Sequence, residues 1–228
     1  MSTDSSPQVF TDVSGDPFVR GLLHRPANPN GGGLVLAHGA GSNCQAPLLI
    51  ALAQTFSEAG FVVLRIDLPF RQDRPYGPPG PGDAKRDRAG LKNAAAAIEN
   101  LGPSRIFLGG HSYGGRQASM LCAETPEDAP REIAGLLLLS YPLHPPRKPE
   151  QLRTQHFFHL HTPSLFVQGT RDPFASIGEI EQAIKLIPAK TKLVPIEGAG
   201  HDLGLKGKAG REELSAKVQS ELQSFFAI

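Results

Sequence analysis

"LGGHSYGGR", residues 108–116, places a serine at the centre of a glycine-rich stretch. Its core, GHSYG, fits the pattern G-x-S-x-G, in which the serine stands on a strained turn between a strand and a helix. Small residues two positions away on either side let the two backbones approach each other. An apolar run, RIFLG, precedes the turn and a helical pattern, GRQASMLCAE, follows it. The context therefore predicts a nucleophile elbow with Ser112 as the nucleophile, the alternative being an idle serine in a β–α turn.

On both sides of this turn, apolar runs alternate with helical patterns, which is typical of strands and helices in alternation. Strand runs as apolar as GLVLAHG, FVVLRIDLP and IAGLLLLSYP indicate burial on both faces of a parallel sheet. Helices are predicted over residues 47–60, 84–102, 114–124, 176–187 and 211–226. The fold class is thus an α/β/α three-layer sandwich around a mostly parallel sheet. We expect a single domain over residues 17–228, preceded by a loose tail over residues 1–16.

A nucleophilic serine needs a general base, and the base needs an acid that orients it. On this kind of sheet the three follow one another as Ser, then Asp or Glu, then His. Asp172 comes just after the strand run SLFVQG, and His201 comes just after KLVPIEG. Both therefore belong to the sheet edge where Ser112 lies, and we predict a triad of these three residues. Glu197 and Asp202 are weaker candidates for the acid.

Acyl transfer also needs backbone N–H groups that stabilise an oxyanion. The residue after the nucleophile, Tyr113, supplies one, and the loop in LVLAHGAGSN supplies the second. Ala40 is the predicted donor there and Gly41 the second choice, with a plain β–α turn as the alternative. A cysteine in the same loop, Cys44, is a rival nucleophile, but it lacks the elbow sequence.

Three arginines, Arg71, Arg74 and Arg116, are candidates for a subsite that binds an anionic group, with a plain surface role as the alternative. Two of them lie in the proline- and glycine-rich segment 71–83, which follows the end of a strand, where open α/β sheets bind ligands. Segments 71–83 and 142–163 are the expected lids over the pocket. We assign substrate binding to Arg71, Gly41 and His111, although His111 also fits a packing or tuning role.

Composition excludes several other classes of function. A formal net charge of +1 over 228 residues does not indicate a nucleic-acid partner, and no apolar run is long enough for a membrane span. Two cysteines far apart, with no secretory signal, favour free thiols and a cytoplasmic location. Four histidines between residues 144 and 161 have no carboxylate or cysteine partners nearby, so we expect no metal site there. No cofactor is implied, and the oligomeric state is left open.

The motifs AHGAG, GGHSYGG, GTRDP and GAGHD together resemble the α/β-hydrolase superfamily, over residues 19–226. Three further phrases, LPFRQDRPYGPP, SYPLHPP and FVQGTRDPF, are similar to a small group within it. That group includes a testis-expressed hydrolase-like protein and a subunit of a chromatin-associated acetyltransferase complex. The resemblance implies a triad of Ser112, Asp172 and His201. Many members insert a cap domain, but the 21 residues of segment 143–163 are too few for a large one.

The sequence therefore predicts a serine hydrolase that acts on an ester or thioester of a small acyl substrate. A binding or scaffold protein with a vestigial site is the alternative, because folds of this kind are also used without catalysis. A dehalogenase or lyase is a third possibility, but the serine at the elbow disfavours dehalogenation.

Overall fold

The computed structural model describes residues 6–124, 132–204 and 207–228, with side chains for all of these except residues 207–209. The strands within these residues form one sheet in the spatial order β1-β2-β4-β3-β5-β6-β7-β8. All neighbours from β4 through β3 to β8 are parallel, while β1 and β2 pair antiparallel at one edge. The strands are β1 (Gln8–Asp12), β2 (Val19–His24), β3 (Gly32–Ala37), β4 (Val62–Asp67), β5 (Arg105–His111), β6 (Gly135–Leu139), β7 (Ser164–Gly169) and β8 (Thr191–Ile196).

Helices cover both faces of this sheet, and alternate side chains of each central strand enter different cores. In β3, Leu34 packs in one core and Val35 in the other. The first core contains apolar residues of α1 and α6, and the second contains those of α3, α4 and α5. The predicted three-layer sandwich is confirmed. The helices are α1 (Pro47–Glu58), α2 (Pro69–Asp73), α3 (Asp83–Glu99), α4 (Tyr113–Leu121), α5 (Ile177–Ala183) and α6 (Gly207–Phe226).

Two elements differ from the sequence-based expectation. The loose tail predicted for residues 1–16 is wrong over Gln8–Asp12, which form β1 against β2, while residues 1–5 lie outside the described residues. As an edge strand, β1 buries little, and Val9 is 83% exposed, so it lacks the apolar run of a buried strand. The segment 71–83, expected to be irregular throughout, begins inside α2, because Pro69 at its start presets a helical backbone.

The connection between β6 and β7 contains one 3₁₀ turn, Phe157–His159, in place of a cap domain. The prediction of a fold without a large cap is therefore confirmed. Since β5, β7 and β8 are parallel, the segments that follow them emerge along the same edge of the sheet. Within the part of the chain that is described, none of the helices is long and apolar enough to cross a bilayer.

Candidate active site

Ser112 occupies a sharp turn between β5 and α4. Its backbone has φ 51° and ψ −115°, a conformation that residues other than glycine rarely adopt. Its amide donates to the carbonyl of Leu139 at 2.8 Å, which fixes the turn against the end of β6. A Cβ atom on Gly110 would lie 2.5 Å from the Ala37 carbonyl oxygen, and one on Gly114 would lie 2.6 Å from that of His38. The glycines of the motif are therefore required because the backbone of β3 passes directly beneath the turn.

The structure brings Ser112, His201 and Asp172 into one hydrogen-bonded chain. Nε2 of His201 lies 2.9 Å from Oγ of Ser112, and Nδ1 lies 2.8 Å from Oδ2 of Asp172. A carboxylate can only accept, so Nδ1 carries the proton and Nε2 is left to accept from the serine hydroxyl. This is the geometry that a serine nucleophile, a general base and an orienting acid would require.

Asp172 is held by donors that keep both of its carboxylate oxygens in place. Its side chain is fully buried, Oδ1 accepts from the amide of Phe174 at 2.9 Å, and Oδ2 also accepts from the Gln168 amide at 2.9 Å. The rival acids are engaged elsewhere, since Asp202 accepts from the Gly204 amide and Glu197 faces Thr170. Sequence reasoning missed Gln168, which lies within the apolar run of β7, where an amide is itself an unexpected residue.

Two aromatic rings flank the imidazole of His201. The ring of Phe174 lies 4.2 Å away between centroids, and that of His111 lies 5.0 Å away. Nε2 of His111 donates to the backbone carbonyl of His201 at 2.7 Å, and burial lowers the pKa of His111. These contacts agree with the packing role that the sequence also allowed, since His111 packs against His201 and holds its backbone carbonyl. Substrate binding by His111 stays a prediction.

The loop after β3 lies directly against the nucleophile. A Cβ atom on Gly39 would be 3.7 Å from Cβ of Ser112. The Gly39 carbonyl accepts from Nδ1 of His38 at 2.8 Å, while Nε2 of His38 accepts from the Leu68 amide at 3.1 Å. Since a trans peptide directs its C=O and N–H in opposite directions, fixing this carbonyl also fixes the N–H of Ala40. Burial lowers the pKa of His38 to about 4, so this tautomer persists at neutral pH.

Arg71 is buried, and carbonyl oxygens occupy its donors. Its guanidinium donates to the carbonyls of Ala40 at 3.0 Å, Ser42 at 2.7 Å, Arg74 at 3.1 Å and Gly77 at 2.9 Å. These bonds use most of the donors of Arg71, so the structure does not support its predicted role in substrate binding and favours a structural one. Arg71 joins the loop after β3 to the loop after α2.

Arg74 does not belong to an anion subsite either, since it forms an exposed ion pair with Asp83. Gly41 lies in the turn after Ala40, and a Cβ atom there would meet nothing within 4 Å. That space is compatible with its predicted place beside a ligand.

Tyr113 begins α4, where the first backbone N–H groups of a helix have no intrahelical acceptor. Its hydroxyl donates to Oδ2 of Asp87 at 2.6 Å, and Oδ1 of Asp87 accepts from the Phe70 amide at 3.0 Å. Asp87 is fully buried, and burial raises the pKa of its carboxyl. This contact, which the sequence did not reveal, ties α3 to both the elbow and α2.

The remaining candidates have other surroundings. Burial, and after it the charge of Asp67, raises the pKa of the Cys44 thiol to about 12, which is the opposite of an activated nucleophile. Of the histidines between residues 144 and 161, His144 lies 3.5 Å from Glu179, while His156 lies 2.9 Å from the Ser119 hydroxyl. Among the described residues, no group of three or more metal-ligating side chains is present.

Comparison with known proteins shows which family the chain belongs to. A family model described as an alpha/beta hydrolase domain matches residues 31–227. The chain belongs to this family. Solved structures share its fold, among them an α/β serine hydrolase homologue from Coxiella burnetii, with a TM-score of 0.74 and 17% identity over 97% of this chain and 100% of that one.

Two further solved structures have the same fold. A dienelactone hydrolase from Anabaena variabilis has a TM-score of 0.70 and 22% identity, over 96% of this chain and 98% of the other. A serine hydrolase from Xanthomonas campestris, described as having no lid, has a TM-score of 0.70 and 16% identity, over 98% and 96%. At these identities the likeness is one of fold, and it agrees with the short connection between β6 and β7.

Proposed function

We propose that the chain is a serine hydrolase that cleaves esters or thioesters of small acyl groups. The observation that carries this proposal is the hydrogen-bonded chain from Asp172 through His201 to Ser112, with Ser112 on a strained elbow. A hydroxyl held 2.9 Å from an imidazole nitrogen has an acceptor for its proton at the moment of attack.

In the proposed reaction, Oγ of Ser112 bonds to the substrate carbonyl carbon as its proton passes to Nε2 of His201. The resulting oxyanion accepts hydrogen bonds from the N–H groups of Ala40 and Tyr113. Asp172 stabilises the imidazolium that forms. When the tetrahedral intermediate collapses, the bond to the leaving oxygen or sulfur breaks, and the leaving group takes the proton from Nε2.

An acyl ester on Ser112 then remains. A water molecule gives a proton to Nε2 of His201 and attacks the acyl carbon. The bond to Oγ breaks, Oγ regains its proton from His201, and the carboxylic acid leaves. This cycle uses no metal or cofactor, because each proton that His201 accepts is returned within the same half-reaction.

We further propose a group within the family, a location and a size of acyl substrate for this hydrolase. The phrases LPFRQDRPYGPP and SYPLHPP favour the small hydrolase-like group described above, and the free thiols of Cys44 and Cys122 fit a reducing, cytoplasmic location. A short β6–β7 connection favours small acyl groups, since it has too little chain to enclose a long one. We further propose that the substrate is a small molecule, with neither nucleic acid nor membrane as a partner.

Hydrolysis of a matched series of acyl compounds tests the proposal. The series contains 4-nitrophenyl esters and the corresponding thioesters with two to eight acyl carbons, assayed with the wild type, Ser112→Ala and His201→Gln. We expect turnover of the short members by the wild type, and a loss of about a thousandfold or more in both variants. A folded wild type that cleaves none of the series, or a Ser112→Ala variant as active as the wild type, would support the scaffold alternative instead.

A further inference from the structure

Arg116 lies one helical turn beyond the nucleophile on α4, and its backbone amide donates to the Ser112 carbonyl at 3.0 Å. Its side chain is half-buried. Nε of Arg116 is inaccessible to solvent and has no hydrogen-bond partner in the described part of the chain. The Tyr141 hydroxyl accepts from another nitrogen of the same guanidinium. A buried donor left unpaired is costly, so Nε makes this guanidinium a candidate for binding an external acceptor.

A second arginine, Arg153, reaches the same edge of the sheet from the loop between β6 and β7. Nη1 of Arg153 donates to the Pro142 carbonyl at 3.2 Å, and its backbone carbonyl accepts from the Tyr141 hydroxyl at 3.0 Å. Pro142 is three residues beyond Leu139, whose carbonyl accepts the amide of Ser112. The Arg153 guanidinium is therefore anchored close to the end of β6, beside the elbow.

The Tyr141 hydroxyl joins the two arginines, since it accepts from the Arg116 side chain and donates to the Arg153 backbone carbonyl at 3.0 Å. The two side chains therefore belong to one cluster. Burial, followed by the positive charge of Arg116, lowers the pKa of Arg153. The positive charge of Arg116 also affects His156. Burial, followed by the charges of Arg116 and Arg88, lowers the pKa of His156 to about 4. A neutral imidazole at that position leaves the positive potential of the two arginines in place at neutral pH.

No described carboxylate neutralises this pair. Arg88 is paired with Glu124, but within residues 6–124, 132–204 and 210–228 neither Arg116 nor Arg153 forms an ion pair. Two half-buried like charges in a medium of reduced dielectric repel each other, and an anion between them removes that repulsion. Guanidinium groups also match the geometry of carboxylate and phosphate oxygens, with which they form paired hydrogen bonds.

We propose that Arg116 and Arg153 form a subsite that binds an anionic group carried by the acyl substrate. This inference rests on the proposed function for its connection to catalysis, since Arg116 follows Ser112 by one turn of α4. One helical turn separates the α-carbons of Ser112 and Arg116 by roughly 6 Å. A short dicarboxylic monoester, with its free carboxylate two to four atoms from the ester carbonyl, has the corresponding length. A phosphate on the substrate has the same chemistry and is the second possible source of the charge.

Binding to a variant that cannot turn over its ligand tests the subsite separately from catalysis. In a full-length Ser112→Ala background, calorimetry measures the affinity of monomethyl succinate, of inorganic phosphate and of neutral methyl butyrate. Arg116→Gln and Arg153→Gln are introduced singly and together. Arg147→Gln is the matched control, because Arg147 is an exposed arginine in the same loop. Circular dichroism verifies folding, and Arg116→Lys and Arg153→Lys replace any variant that does not fold.

We expect monomethyl succinate to bind at least tenfold more tightly than methyl butyrate. Each Arg→Gln substitution should weaken binding of the anion by about tenfold or more, while Arg147→Gln leaves it within twofold. Tight binding of phosphate with weak binding of monomethyl succinate would assign the subsite to a phosphorylated substrate. Equal affinity for the neutral and anionic ligands, equal losses in Arg147→Gln, or unchanged affinity in the double variant would overturn the proposal.

Turnover separates failure of this proposal from failure of the proposed function. In the Ser112 protein, the ratio of kcat/KM for 4-nitrophenyl hemisuccinate to that for 4-nitrophenyl butyrate should fall about tenfold in Arg153→Gln. Cleavage of both esters at a ratio unaffected by Arg153→Gln would overturn the subsite while leaving the hydrolase assignment in place. Cleavage of neither ester would overturn the hydrolase assignment, and the calorimetric result would still decide the anion site.

Discussion

Replacing Arg71 by methionine removes the group that holds the loop after β3 in position. Methionine keeps much of the aliphatic volume against Phe70, whose ring lies 4.9 Å from the guanidinium carbon, but it donates no hydrogen bonds. The carbonyls of Ala40 and Ser42 lose their donor, and with it the constraint on the neighbouring N–H groups. We expect the variant to fold and to lose catalytic rate, because the loop that carries the Ala40 N–H, the proposed oxyanion donor, is held less firmly on its far side.

The expected loss of stability follows from the four carbonyls that accept hydrogen bonds from Arg71. A hydrogen bond from a charged donor contributes roughly 1.5–3 kcal/mol net, and the exposed positions of Arg74 and Gly77 let water replace two of the four. The two bonds to the loop after β3 then contribute about 3–6 kcal/mol. Removal of the buried charge recovers several kcal/mol of desolvation. We therefore predict a net destabilisation of about 1–3 kcal/mol. Since loss of one oxyanion donor lowers kcat by about 10²–10³, partial misplacement should lower it by roughly 10–100-fold.

Urea unfolding and steady-state kinetics on a neutral ester check both numbers. KM should change little, because the oxyanion forms in the transition state and not in the bound substrate. Arg74→Met is the matched control, since Arg74 is an exposed partner of Asp83, and it should alter stability by less than about 1 kcal/mol. A variant that loses activity on anionic esters alone, with normal kcat on neutral ones, would refute the positioning role and restore substrate binding by Arg71.

Three further predictions concern the acid, the elbow and the buried histidines. Asp172→Asn should fold but lower kcat by about three to four orders of magnitude, because an amide favours the wrong His201 tautomer; a loss below tenfold in steady-state assays would contradict this. Gly114→Ala should lower the free energy of unfolding, measured with urea, by more than about 2 kcal/mol, because its Cβ atom would meet backbone carbonyl oxygens at 2.6–2.7 Å. The control Gly178→Ala lies in open space on α5 and should be neutral or stabilising. Burial lowers the pKa of His24, His38 and His156 to about 4 in each case. The unfolded chain therefore binds more protons than the folded chain between pH 4 and 6.5, and the free energy of unfolding should fall as the pH drops through that range. The expected loss at pH 5 is up to about 2 kcal/mol for each histidine. His24→Gln should remove up to about 2 kcal/mol of this loss at pH 5 in urea unfolding, and an unchanged pH dependence would contradict the assignment.

The sheet and the elbow could be predicted because their signals are local. Apolar runs such as LLLL in β6 require burial on both faces, and the glycines around Ser112 reflect the contact with β3. The order of Asp172 and His201 along the chain placed both at the same sheet edge. In contrast, β1 could not be predicted, because an edge strand with exposed side chains has the composition of a polar tail.

The surroundings of the candidate site were harder to predict because they depend on backbone groups that distant segments supply. Nothing in the sequence around Arg71 shows that four carbonyls converge on its guanidinium. In the same way, His111 interacts with a backbone carbonyl 90 residues away, and Asp87 accepts from Tyr113 on another helix. Residue type and spacing identify what a side chain can do, but its actual partner is set by the tertiary fold.

Labelling with a fluorophosphonate, followed by peptide mapping, tests whether Ser112 is an activated nucleophile. The wild type, Ser112→Ala, His201→Gln and Cys44→Ala are treated in parallel after circular dichroism has verified folding. We predict a single adduct on the peptide that contains Ser112, present in the wild type and Cys44→Ala and absent from the other two. Absence of label from the folded wild type, or an adduct at another residue, would contradict the account.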